Sequence, residues 1–502
     1  MARNSLAHPG KQSYQKTRRN EKSALEACLE HFFAYISDLN ITKNNPKKCI
    51  MKAKYLSIMC LASALLAASC TKDESDQAKL VISEVSVEAN SVTFTLSHEG
   101  LGSCAYVLTP AGSSSTLPDA ETVLKEGTAI DAASLAEPSS THTAAGLEFK
   151  TDYVLSVAAS SASGNRIVRA YFTSAEDPHP STYLDGPANC YIVSKAGTYS
   201  FPAKKVSGEQ IDGIAKVDWL WTTKSTSATE QAYLSDIAYE YGRVRFTASG
   251  KKGNALIAAF DEDGKIVWSW HIWMTDTPKT VTHPGGAVFM DRSLGQWSAE
   301  KYDGDDPTVL YYQWGRKDPI FAGARPEPSK YIFYYAKSGT SINPDYAYTW
   351  AFEDKAASVE MATAEPMHMF HAERHDWTAA ANDALWAETK TDYDPCPAGY
   401  RVPSEAELSD LKSVKASAFD DWDGGFEFSG AWWPGVGDRN CVSGALELNQ
   451  CVFSWSCNAR VSDTDKSLHY GRRLCASVDQ LFADIIDGNK GFAHPVRCVK
   501  IK

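Results

Sequence analysis

All fourteen tryptophans of this 502-residue chain lie at or after Trp219, and three of them crowd into KIVWSWHIWMTD, Lys265 to Asp276. Side chains alternate along a strand, so Trp268, Trp270 and Ile272 point to one face while Ser269, His271 and Trp273 point to the other. Tryptophan on both faces predicts a strand covered on both sides, at a contact with the next domain. Within it His271 reads as a hydrogen-bonded structural histidine. The part of the chain without tryptophan must be built differently. The length allows roughly two to four domains, and 43% hydrophobic with 22% charged residues is a globular composition.

Compartment decides how the twelve cysteines are to be read. MKAKYLSIMCLASALLAASC starts at Met51 with Lys52 and Lys54, continues through a short apolar run from Tyr55 to Leu66, and ends in small residues before Cys70. This is the pattern of a secretory signal peptide, too short for a membrane span. Its LAAS-Cys70 end resembles the lipobox of bacterial lipoproteins, whose acylated cysteine becomes the mature N-terminus and anchors the chain through three acyl chains. Residues 1–69 are therefore read as a mis-assigned upstream start plus signal peptide (51–69), and 70–77 as a linker. Lys72, Asp73 and Glu74 resemble the signal that places Bacteroidota lipoproteins on the cell surface. Residues 1–69 carry 11 Lys or Arg and 4 Asp or Glu, so the remainder has 39 against 58 and a net charge of −19. That excess argues against nucleic acid as a partner. No later apolar run is long enough to cross a bilayer.

Residues 78–176 carry short alternating stretches such as SVTFTLS and YVLSVAAS between Gly, Ser and Pro clusters, which predicts a β-sandwich. The order LEFKTDYVLSVAA resembles the fibronectin type III module, where Leu147 and Tyr153 would form a tyrosine corner. After a proline-marked linker, residues 181–277 are again strand-like. In residues 282–502 the stretches GGAVFMDRSLG, YYQWGRKDP, Asp376-Trp377, Leu385-Trp386, YDPCPAGYRVPSEAEL, FSWS and GFAHPVRCV occur in the order that resembles the Fibrobacter succinogenes major paralogous domain of Bacteroidota surface lipoproteins. The resemblance extends over residues 181–502 and implies a C-type lectin-like fold. The expected fold is thus mainly β, with a fibronectin-like sandwich, a second β-domain and a C-terminal α+β domain.

The lectin-like resemblance implies a disulfide between Cys396 and Cys498, closing a loop of about a hundred residues; Ser404 and Glu407 form an S-x-x-E capping box opening a helix through Leu408 and Leu411. Between those cysteines, Cys441, Cys451, Cys457 and Cys475 read as further disulfides of undetermined pairing, in preference to a zinc site. Cys104 and Cys190 read as buried or unpaired. His371 and His375 have i, i+4 spacing, but the H-E-x-x-H pattern is missing because Ala372 follows the first histidine, so no metal is expected. Asp303 to Asp306 are acidic enough for calcium yet read as a solvated turn. Sugar recognition falls instead to aromatic platforms with flanking polar groups: Trp432, Trp433, Asp438, Arg439, Trp455 and Tyr470. No catalytic residues and no cofactor are expected. The resemblance implies a lipid-anchored outer-membrane protein that acts as a non-enzymatic adhesin or binder of glycan or host matrix protein, with fimbrial subunits as partners. A structural envelope component is the alternative, and an enzyme on the scaffold of the formylglycine-generating enzymes a lesser one.

Overall fold

The computed structural model describes residues 79–112, 116–184, 186–224, 233–300, 309–321, 333–336, 341–342, 352–353, 355–372, 374–415, 424–447, 451–477 and 483–502. Alternation builds the first region. In Ser91–Glu99 every second side chain, Val92, Phe94, Leu96 and His98, is buried. Thr93 and Thr95 point outward and meet the hydroxyls of Thr143 and Thr141 on the neighbouring strand at 2.9 and 3.1 Å. Lys79–Glu88, Ser91–Glu99 and Ser139–Ala145 form one antiparallel sheet. Thr128–Ile130, Leu101–Pro110, Asp152–Ser161 and Arg166–Thr173 form the other. Phe94, Leu96, Leu155 and Val157 fill the space between them. Three strands against four in this order is the fibronectin III-like sandwich. Its predicted corner is present: Tyr153 is buried beside Leu147, and its hydroxyl accepts from the Glu148 N–H at 3.0 Å.

The second region is built around Ile266–Met274, which pairs antiparallel with Gly253–Phe260 and parallel with Cys190–Val193. Trp268, Trp270 and Ile272 enter one core with Phe201, Val244 and Phe246. Trp273 enters a different core with Trp221, Leu256 and Trp314. The strand is covered on both faces, as its sequence predicted. The boundary drawn between 277 and 282 does not separate two sheets. Phe333–Ala336 and Ser341–Ile342 extend the same six-stranded sheet, with Trp221 opposite Ala336. The second core also runs through Leu310, Trp386, Cys396 and Cys498, and Gln77–Lys502 pack as one unit.

In the C-terminal region Val288–Met290 pairs with the last strand, Val499–Lys500, which also pairs with Tyr400–Arg401. The Cys396–Cys498 disulfide lies beside this junction. The capping box is formed, with the Glu407 N–H donating to Ser404 Oγ and the Ser404 N–H donating to the Glu407 carboxylate. The helix it opens is short, Glu405–Leu408, and continues as a 3-10 segment through Ser413. Ser409 and Ser413 hydroxyls donate back to the Ala406 and Asp410 carbonyls, a local alternative to the α-helical ladder. Val359–Ala364 is the other described α-helix here, and strands predominate among the described residues of the region.

Candidate functional site

Four of the six residues expected to form a recognition surface are interior. In the hairpin Gly425–Phe428 and Ala431–Pro434, alternation turns Trp433 inward against Phe289 and Phe426, with the Arg497 guanidinium 3.9 Å over its ring. Trp432 is half-buried, and its carbonyl accepts from Arg497. Arg439 is fully buried and clips distant backbone together, donating to the Phe321 and Gly444 carbonyls. Trp455 is buried and donates to the Tyr312 carbonyl at 2.7 Å. It lies flat against Gly471 and Gly488, where an added Cβ would sit 3.0 and 2.8 Å from the indole. Trp433, Arg439 and Trp455 are thus buried where a sugar ring could not stack on them, and they hold the fold.

Asp438 lies beneath that surface, 3.8 Å from Arg473 and 3.7 Å from His494. Burial, with Glu447 adding to it, outweighs the nearby guanidinium and raises the Asp438 carboxyl to about 7. Below pH 7 the folded group keeps a proton that the unfolded chain has released above roughly pH 4, so its contribution to stability is complete at low pH and lost as pH rises to 7. Asp438→Asn is therefore expected to stabilise at pH 8 by about 2 kcal/mol, part of the roughly 1.4 kcal/mol per pKa unit available, and to change nothing at pH 4. Urea melts at the two pH values check this; equal effects at both would reject the assignment.

Cys441, Cys451, Cys457 and Cys475 are thiols, not the disulfides expected. Cys475 stands opposite Phe453, which places Cys451 one diagonal step away on the adjacent strand. Diagonal neighbours lie about 7–8 Å apart, beyond disulfide reach. Cys457 sits at the irregular part of the same strand and packs in the core with Trp455 and Val402. Cys104 and Cys190 are buried thiols, as expected.

Cys190 has a neighbourhood that imitates catalytic chemistry. Its Sγ lies 3.4 Å from His271 Nδ1, and His271 Nε2 lies 2.9 Å from Asn254 Oδ1. A Cys-His-Asn catalyst needs a thiolate in a cleft. Here all three are buried; burial drives the thiol up and the imidazole down to about 3. The group stays neutral and His271 is structural.

Arg374 and His375 adopt left-handed backbone, with φ of 49° and 65°, so His371 and His375 do not share a helical face. Glu373, Cys70, Lys72 to Glu74 and Asp303 to Asp306 lie outside the described residues. Among the described residues no three His, Cys, Asp or Glu groups are placed to hold a metal ion.

Tyr470, the remaining expected residue, is half-buried on the middle strand of the Val452–Val461, His469–Ala476 and Asp484–Asn489 sheet, between Arg460 and Asn489. Its ring stacks on His375 with centroids 4.7 Å apart and planes 23° from parallel. Beside it His469 Nδ1 is 2.8 Å from the Asp383 carboxylate, which also takes the Lys490 ammonium at 2.5 Å. Burial raises the Asp383 pKa, but Lys490 and His469 together pull it below its ordinary value. The backbone N–H groups of His469 and Lys490 donate to the Arg374 and His375 carbonyls and hold the left-handed pair in place. Sequence reasoning found Tyr470 but missed His469 and Asp383, and it set His375 aside; only the fold brings these together.

No protein-family model and no curated relative matches the chain. Among solved structures, the first three fibronectin domains of chicken CNTN1 align at 11% identity with a TM-score of 0.18, covering 53% of this chain and 89% of that one. Native alpha-2-macroglobulin from Escherichia coli, domains MG0-NIE-MG1, aligns at 9% identity with a TM-score of 0.15, covering 52% and 95%.

Proposed function

We propose that the protein is a lipid-anchored surface protein of a Bacteroidota-type outer membrane, acting as a non-enzymatic adhesin or ligand-binding head for glycan or host protein and associated with fimbriae. The observation that carries this reading is the apolar run ending in LAAS-Cys70, followed by the acidic Asp73 and Glu74. Such a segment supplies export, an acylation site and a surface address in twenty-four residues, counting from Met51 to Glu74. Support comes from the Cys396–Cys498 disulfide, which suits an oxidising compartment, and from the fibronectin III-like sandwich between anchor and C-terminal region, a spacer in this reading. The long, irregular C-terminal segments then carry recognition.

The test is fractionation. Cys70→Ser is expected to move the protein from the membrane fraction to the soluble fraction, and protease added to intact cells is expected to degrade the parent. Tight membrane association of the serine variant, or a parent that survives external protease, would count against the reading.

A further inference from the structure

We propose that the patch formed by Tyr470, His375 and His469 binds a saccharide, an inference that rests on the ligand-binding reading above and gives it a place and a ligand class. The patch is pre-shaped. Two consecutive side-chain-bearing residues in left-handed backbone are uncommon because Cβ crowds the neighbouring carbonyl. Such conformations persist where the surroundings over-determine them, and they gather at ligand sites. Here the surroundings are the backbone donors of His469 and Lys490, so His375 is fixed against Tyr470 before any ligand arrives.

The polar edges of the patch carry hydrogen-bonding groups that the described residues do not use. Among the described residues the Tyr470 hydroxyl, the ring nitrogens of His375 and His469 Nε2 have no hydrogen-bond partner, although each belongs to a half-buried residue. Asp383 accepts from His469 Nδ1–H, which leaves Nε2 as the ring's second polar atom. The patch thus offers flat aromatic surface, a hydroxyl that donates and accepts, and ring nitrogens able to hydrogen-bond a hydroxyl.

These features select among ligand classes. An apolar ligand would strand the open polar groups without water, a costly outcome. A phosphate or other anion would meet the Asp383 carboxylate 2.8 Å behind His469 and a chain of formal net charge −12. A neutral sugar has a C–H face for the rings and hydroxyls that both donate and accept, so it satisfies every group at once.

Titration calorimetry of the detergent-solubilised full chain against glucose, galactose, mannose, N-acetylglucosamine and their disaccharides tests the proposal. At least one sugar is expected to bind. Tyr470→Ala and His375→Ala should each weaken that binding by about tenfold or more with melting temperature unchanged. Tyr470→Phe, which keeps the stack and loses the hydroxyl, should weaken it several-fold. No binding to any sugar of the panel, or parental affinity in the alanine variants, overturns the site. If an alanine variant melts early, Tyr470→Phe decides, and parental affinity there overturns it. A chain that reaches the cell surface but binds no sugar sinks this site alone and leaves the anchoring reading intact.

Discussion

Converting Cys396 and Cys498 together to alanine is expected to destabilise the C-terminal region by about 4–5 kcal/mol, the loop-closure value for a crosslink spanning about a hundred residues. The two cysteines are 102 positions apart, so the reduced, unfolded chain regains the freedom of that whole loop. Alanine is the suitable replacement because both sulfurs are fully buried, where a serine hydroxyl would add a desolvation cost of its own. The local structure around Cys396 does not depend on the bridge. Asp394 accepts from the Cys396 and Val402 N–H groups and from Lys390, which itself reaches the Cys396 carbonyl. The loss therefore falls on the tether between this turn and the last strand. Urea unfolding followed by tryptophan fluorescence measures it, and a loss below about 1 kcal/mol would show that the loop is ordered in the unfolded state.

What could be read in advance shares one property: its signal is local. Tyr153 and Leu147 are six residues apart and define the corner by themselves. Ser404 and Glu407 are one helical turn apart. The faces of Ile266–Met274 follow from alternation alone, and the disulfide was carried by a motif resemblance. What could not be read is long-range. GAWWPGVGDRN looks like a polar surface loop because nothing near it reveals that the Phe321 carbonyl, 118 residues upstream, accepts from Arg439. Strands Phe333–Ala336 and Ser341–Ile342 join a sheet whose other members end by Met274, and nothing in the local pattern between 277 and 282 shows that the sheet continues beyond it. The four cysteines gave spacing but no geometry, and their separation across a sheet diagonal appears only with the register of Phe453 opposite Cys475. The Tyr470 patch depends on His375, Asp383 and His469, drawn from three separate loops and strands.

The surface patch rests on a buried ion triad, which sets the second large effect: Lys490→Met is expected to cost about 3–5 kcal/mol, the usual range for breaking a buried charge pair from one side. Lys490 is fully buried, with Nζ 2.7 Å from Asp376, 2.5 Å from Asp383 and 4.4 Å from the centre of the Trp314 ring. Methionine fills nearly the same volume, so the cost isolates charge from packing. Asp383, with a third of its side chain exposed, can turn to water. Asp376 cannot, since it is buried and its other oxygen is committed to the Thr378 N–H and hydroxyl. Its carboxylate would be left out of water and without a counter-charge. Adding Asp376→Asn to Lys490→Met removes that stranded charge and should recover at least half of the loss, because replacing both members of a buried pair costs far less than removing one. The single variant should also loosen the His375 carbonyl contact made by the Lys490 backbone only slightly, since that bond does not use the side chain. A double-mutant cycle by urea melts measures the coupling; a single-variant loss below about 1 kcal/mol, or no recovery in the double variant, would mean that water already reaches Asp376.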